Sequence, residues 1–147
     1  MLSERKKLLF LVDDDALFLK SLEIEFTQST ESIESAVKTF ATGELCLESI
    51  SQKPDVIILD YHLNSVDENS INGLETLDRI KTINPQIPVI MLSSQDSIEV
   101  AVNCMKHQAV DYIVKSETAF IRLQKAIATI FHYQEIEKTL HWYMEKM

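Results

Sequence analysis

Long apolar runs, basic charge, paired cysteines and glycine are all scarce in this sequence, and each scarcity removes a class of function. No stretch approaches the ~18 consecutive apolar residues that a membrane-spanning helix needs. The basic start, MLSERKK, leads into an apolar run of only five residues before an acidic cluster, too short for a signal h-region. The expectation is a soluble, cytoplasmic chain that does not engage membrane. Lys and Arg number 14 against 23 Asp and Glu, giving a formal charge of -9 and a pI near 4.8. Such a surface repels phosphate backbones and anionic lipid at long range, so nucleic acid is not expected as a direct partner. Cys46 and Cys104 are the two cysteines, far apart, in no CxxC arrangement and in segments with helical spacing, which predicts reduced core thiols. The length of 147 residues, 46% of them hydrophobic, suits one domain with a core of ordinary size.

Against these absences stands a regular alternation. Short apolar runs recur at LLFLV (8–12), VIILD (56–60), PVIML (88–92) and YIVK (112–115), with a weaker one in SAVKTFA (35–41). Between them lie stretches with helical spacing: Ala16, Leu19, Leu22 and Phe26; Leu74, Leu77 and Ile80; Ile98, Ala101, Val102 and Met105. A β-α order repeated five times implies parallel strands joined by helical crossovers, hence a three-layer α/β sheet. Punctuation agrees: Thr42-Gly43 opens the second helix, Asn72-Gly73 opens the third, and Asn84-Pro85 closes it. Residues 117–147 contain neither Gly nor Pro and predict one helix of about 30 residues, near 45 Å long.

Open parallel sheets bind ligands beyond the carboxyl ends of their strands, so the residues just past each apolar run belong together. They are Asp13, Asp14 and Asp15; Asp60; Ser93 and Ser94; and Lys115. Taken singly, each has an ordinary explanation: the aspartates as helix caps, Asp60 as a strand-terminating charge, Ser93 and Lys115 as solvated loop residues. Falling together at one sheet edge, they form a constellation. Carboxylates from neighbouring strands repel unless a cation sits among them, and an oxygen-only site suits Mg²⁺. Lys115 and the Ser93 hydroxyl add the cation and hydrogen-bond donor that a phosphoryl group needs.

With FLVDDD, DVIILD, PVIMLSS and DYIVK in this order and spacing, residues 6 to 131 resemble the receiver domain of bacterial two-component response regulators. The resemblance implies a flavodoxin-like (βα)5 fold, strand order 2-1-3-4-5, with residues 132–147 as a helical extension. It implies Asp60 as phosphoacceptor, Asp13 and Asp14 as the acidic pair for Mg²⁺, and the backbone carbonyl of His62 completing the metal site with Asp60. Ser93 becomes the switch hydroxyl, Tyr112 the switch aromatic and Lys115 the phosphate-binding lysine. The implied partners are a sensor histidine kinase or histidine phosphotransfer protein upstream and an effector protein downstream, with catalysis limited to the domain's own phosphorylation and dephosphorylation.

This chain departs from the family pattern in three places. The loop YHLNSVDENSINGLE is longer than usual and lacks a proline, Ser116 stands where proline usually follows the lysine, and Gln108 stands where glycine is common. Without that proline, the Lys115-Ser116 bond is expected to be trans.

Other readings fit less well. A haloacid-dehalogenase-like phosphatase would use Asp13 and Asp15 as nucleophile and acid/base, but needs a cap and a later acidic pair. A flavodoxin-like cofactor binder would need a Ser/Thr/Gly-rich phosphate loop where three aspartates stand. A phosphorylation-independent interaction module would normally lack one of the key positions, and none is missing. His132 and His141 are nine apart, not the i, i+4 pair of a metal site. In the terminal helix, Phe120, Leu123, Ile127 and Ile130 are spaced to cover the sheet. A second stripe, Tyr133, Ile136, Leu140, Tyr143 and Met147, follows 3-4-3-4 spacing and suggests a homodimer through the C-terminal helix. No DNA-binding or catalytic domain is expected within the residues after 131.

Overall fold

The computed structural model describes residues 6–28, 35–65 and 67–147; the first residues of the basic start lie outside these. Strands β1 (Lys7–Val12), β2 (Ser35–Phe40), β3 (Val56–Asp60), β4 (Val89–Ser93) and β5 (Asp111–Val114) alternate with helices α1 (Ala16–Gln28), α2 (Gly43–Glu48), α3 (Gly73–Ile83), α4 (Ile98–Lys106) and α5 (Ala119–Lys146). All neighbouring strands pair in parallel, in the order β2-β1-β3-β4-β5. The expected three-layer flavodoxin-like architecture is therefore present.

The apolar runs are continuous because successive side chains enter two different cores. Phe10, Val12, Ile57, Leu59, Val89 and Met91 meet Cys46, Leu77, Ile80 and Cys104 from α2, α3 and α4. Leu9, Leu11, Val56, Ile58, Ile90 and Leu92 meet Leu22 and Phe26 of α1 and Leu123 and Ile127 of α5. Every residue of β3 and β4 is buried, whereas β2, at the sheet's edge, has none fully buried. That half-exposure explains its weaker signal. Burial pushes the Cys46 thiol up to about 12, so it is a core side chain without nucleophilic character at neutral pH.

The helix boundaries follow local chemistry. Thr42 and Asn72 accept the N–H groups of Leu45 and Glu75 as N-caps, and Asn84 ends α3 in extended backbone ahead of Pro85. The helix predicted from the spacing at 98, 101, 102 and 105 exists, but that stripe is not its core face. Ile98, Val102 and Met105 are exposed, while Cys104 is buried and Val100 packs on the core. Helical spacing defines a stripe; tertiary contact decides which stripe is covered. α4 closes with Gln108 N–H donating to Met105 and Ala109 N–H to Cys104, a Schellman pattern that puts Gln108 in the left-handed region at φ 77°. Among the described residues every peptide bond is trans, Lys115-Ser116 included.

α5 is unbroken over 28 residues, about 42 Å. Its first half covers the sheet through Leu123 and Ile127, with Phe120 and Ile130 packed beside them, and Lys7 Nζ lies 4.8 Å from the centre of the Phe131 ring. Beyond this point Tyr133, Ile136, Leu140, Tyr143 and Met147 are all exposed.

Candidate functional site

The site is assembled by the register of four strands. β1 ends at Val12, opposite Leu59, so Asp13 and Asp60 emerge side by side at the same sheet edge. Asp60 in turn stands opposite Leu92, one residue before Ser93, and Ser93 pairs with Val114, one residue before Lys115. A carboxylate at the far end of β3 behaves differently: Asp55 accepts the Leu8 N–H at 2.7 Å and stitches two strands together.

Asp13 and Asp60 are almost completely buried, with 3% and 4% of their side chains exposed, and Lys115 keeps 17%. Lys115 Nζ lies 2.7 Å from Asp13 Oδ2 and 3.4 Å from Asp60 Oδ1. Its other side rests on the Phe18 ring, 4.5 Å from the centroid, so α1 helps hold the ammonium in place. Asp13, Asp14 and Asp60 each offer a carboxylate oxygen within 4.8 Å of the others.

Three carboxylates around one lysine leave a surplus of negative charge. Burial first, then the charge of Asp13, push Asp60 up to about 7, outweighing the opposing effects of Lys115 and of the His62 backbone N–H. Burial works against the Lys115 ammonium, but its close contact with Asp13 and the charges of Asp13 and Asp60 outweigh this and raise its pKa.

The donor set fits a hard divalent cation. Asp13 Oδ2 is buried and has Lys115 at ion-pair distance, yet no donor among the described residues meets it at a proper hydrogen-bond angle. It is an under-coordinated oxygen in an oxygen-only cluster, the surroundings that Mg²⁺ or Ca²⁺ takes. Asp15 is not part of the cluster. Its Oδ1 accepts the N–H groups of Leu17 and Phe18, each at 3.1 Å, so it caps α1. The dehalogenase-like reading, which needs Asp15 as acid/base beside Asp13, loses its second residue.

Ser93 is fully buried and its Oγ accepts the Gln95 N–H at 3.0 Å. The Tyr112 hydroxyl donates to the carbonyl of the same residue. Gln95, not singled out in the sequence, thus links both candidate switch residues through its backbone. Ser65 escaped the sequence reading, and Gly73 was read there only as the start of a helix. Ser65 donates both its N–H (3.0 Å) and its hydroxyl (2.6 Å) to Asp14 Oδ2. Gly73 sits so close to β3 that a Cβ there would lie 2.2 Å from the Asp60 carbonyl oxygen. The available hint was that the chain has only two glycines and spends one here.

A buried aspartate at the end of a central parallel strand thus stands beside an acidic pair, a lysine and a buried hydroxyl. The profile of the response regulator receiver domain matches residues 9–128, and the chain belongs to that family. It is a phosphorylation-dependent signalling switch. It is 31% identical over 118 residues to a protein-glutamate methylesterase/protein-glutamine glutaminase of Clostridium acetobutylicum, covering 78% of this chain and 32% of that protein. Identity to the DNA-binding transcriptional regulator NtrC of Klebsiella pneumoniae is 31% over 130 residues, 86% of this chain and 25% of the regulator. The chain thus spans about a third or less of these curated relatives. Among solved structures, the receiver domain of NtrX from Brucella abortus superposes with a TM-score of 0.69 at 26% identity, covering 82% of this chain and 98% of that one. No helix among the described residues is long and apolar enough to cross a membrane.

Proposed function

We propose that Asp60 is the phosphoacceptor and that Asp13, Asp14, Lys115 and Ser93 form its reaction site. The observation that carries this reading is the Asp60 carboxylate, buried at the sheet edge with Lys115 Nζ 3.4 Å away and the acidic pair beside it. Asp60 attacks the phosphorus of a phosphohistidine on a sensor histidine kinase or histidine phosphotransfer protein. A P–O bond to Asp60 forms as the P–N bond breaks, and the imidazole leaves with the electron pair. Lys115 neutralises charge on the equatorial oxygens, and its contact with Asp13 keeps it aimed. Mg²⁺ would be held by Asp13, Asp14, Asp60 and the backbone carbonyl of His62, and supplies further neutralisation of the phosphoryl oxygens.

Once Asp60 carries phosphate, the Ser93 hydroxyl turns towards the new oxygens and gives up the Gln95 N–H. Displacing Gln95 releases the Tyr112 hydroxyl from its carbonyl, which alters the surface of α4, β5 and α5 presented to an effector protein. The reading makes the chain a switch that catalyses only its own phosphorylation and dephosphorylation, in the cytoplasm, with protein and not nucleic-acid partners. It places the receiver at residues 6–131, consistent with the Lys7 contact on Phe131, and a helical extension at 132–147. The exposed stripe from Tyr133 to Met147 supports pairing with a second copy of the chain. Sedimentation at roughly tens of micromolar of the intact chain against an Ile136→Glu/Leu140→Glu variant tests it, and two equal monomers refute it.

Phosphorylation is tested by intact mass after incubation with Mg²⁺ and acetyl phosphate. A gain of one acid-labile phosphoryl group, lost with EDTA and with Asp60→Asn, supports the reading. No gain makes the chain a phosphorylation-independent interaction module.

A further inference from the structure

The long loop after β3 returns to the site at Ser65. Ser65, five residues beyond Asp60, directs both of its donors at a single carboxylate oxygen, Oδ2 of Asp14, across 51 residues of sequence. The loop is tied down at its other end as well. Ile71 N–H donates to Glu44 Oε2 at 3.0 Å, and Gly73 N–H to the Tyr61 carbonyl at 3.1 Å. The contact therefore joins two anchored segments. Asp13 is placed differently: the Asp15 N–H donates to its Oδ1 at 2.9 Å, and Lys115 Nζ lies 2.7 Å from its Oδ2. Asp14 is the more exposed member of the pair.

We propose that Ser65 is a positioning residue for the metal ligand Asp14, an inference that rests on the reading of Asp13, Asp14 and Asp60 as a divalent-cation site. Two donors on one oxygen fix the plane of the carboxylate before the cation arrives, so less side-chain freedom is lost on binding. The extended loop, which lacks the family's usual proline, thereby makes part of the site's outer shell.

The experiment is calorimetric titration of Mg²⁺ into the full chain, as wild type, Ser65→Ala and Ser65→Thr, with phosphoryl uptake from acetyl phosphate followed across the same Mg²⁺ range. Removing an outer-shell partner typically costs 10–100-fold in metal affinity, and for this exposed contact the expected loss in Ser65→Ala is about tenfold. Ser65→Thr, which keeps the hydroxyl, restores wild-type affinity. The uptake rate of Ser65→Ala falls at limiting Mg²⁺ and returns to the wild-type value at saturating Mg²⁺, a split that general damage to the fold does not produce. Unchanged affinity in Ser65→Ala overturns the proposal, and tighter binding overturns it too, by making Ser65 a competitor of the cation. If the wild type binds no Mg²⁺, the metal-site reading falls and takes this inference with it; if only the Ser65→Ala result fails, the site stands and the role of Ser65 does not.

Discussion

Replacing Asp60 by Asn should stabilise the metal-free protein at alkaline pH and do little at acid pH. The cause is the burial of Asp60 first and the charge of Asp13 beside it second, which together raise its carboxyl from 3.8 to about 7. At ~1.4 kcal/mol per tenfold change in proton affinity, the full rise is worth about 4 kcal/mol as an upper bound. Asp13 and Asp60 share the strain with Lys115, so about 2 kcal/mol is the expected net effect. Below about pH 4 the carboxyl is neutral folded or unfolded, and contributes nothing. Between about pH 4 and 7 the folded protein holds a proton that the unfolded chain has lost, so stability declines as pH rises through that window and levels off above it. Urea denaturation followed by circular dichroism, in EDTA, at about pH 4 and pH 8 gives the comparison. Asp60→Asn should gain about 2 kcal/mol over wild type at the higher pH, equivalent to roughly 6 °C in melting temperature for a chain of this size. Mg²⁺ should close the gap by stabilising wild type alone. A variant less stable than wild type at pH 8, or a wild type whose stability does not change across the window, would refute the charge-crowding argument.

Two backbone positions give independent tests. Gln108, exposed and at φ 77°, occupies the Schellman position that glycine fills without strain, so Gln108→Gly should stabilise by about 0.5–1 kcal/mol and Gln108→Ala should not, as read from thermal melts. Gly73→Ala would bring a methyl group to 2.2 Å from the Asp60 carbonyl and 2.7 Å from the Tyr61 backbone. Backbone cannot rotate away as a side chain can, so a loss of about 3 kcal/mol and slower phosphoryl uptake are expected, and wild-type behaviour in both assays would contradict the close packing.

The strands that dominate the sheet were legible because burial on both faces leaves an unbroken apolar signature, as in Val56 to Leu59. β2 was faint for the opposite reason. The acidic cluster could be read from position alone, since strand ends in a parallel sheet share an edge. Which aspartate does what could not: Asp13, Asp14 and Asp15 are chemically identical and adjacent, and only the fold sends one under Lys115, one to Ser65 and one to the α1 N-terminus. The spacing on α4 identified the helix but not its buried face, because periodicity is a property of the helix while burial belongs to its neighbours. Ser65 and Gln95 were invisible for want of any local pattern, and Gly73 was legible as the start of α3 but not for its close approach to β3. Their roles arise from contacts with residues on other elements.

The central claim is that the phosphoryl group resides on Asp60. Borohydride reduction of the protein after incubation with Mg²⁺ and acetyl phosphate converts an acyl phosphate into an alcohol, and peptide fragmentation then reports which carboxylate had carried it. The structure predicts one reduced residue, Asp60, within DVIILDYHL, and none in FLVDDD. Reduction at Asp13 with Asp60 unmodified would contradict the account.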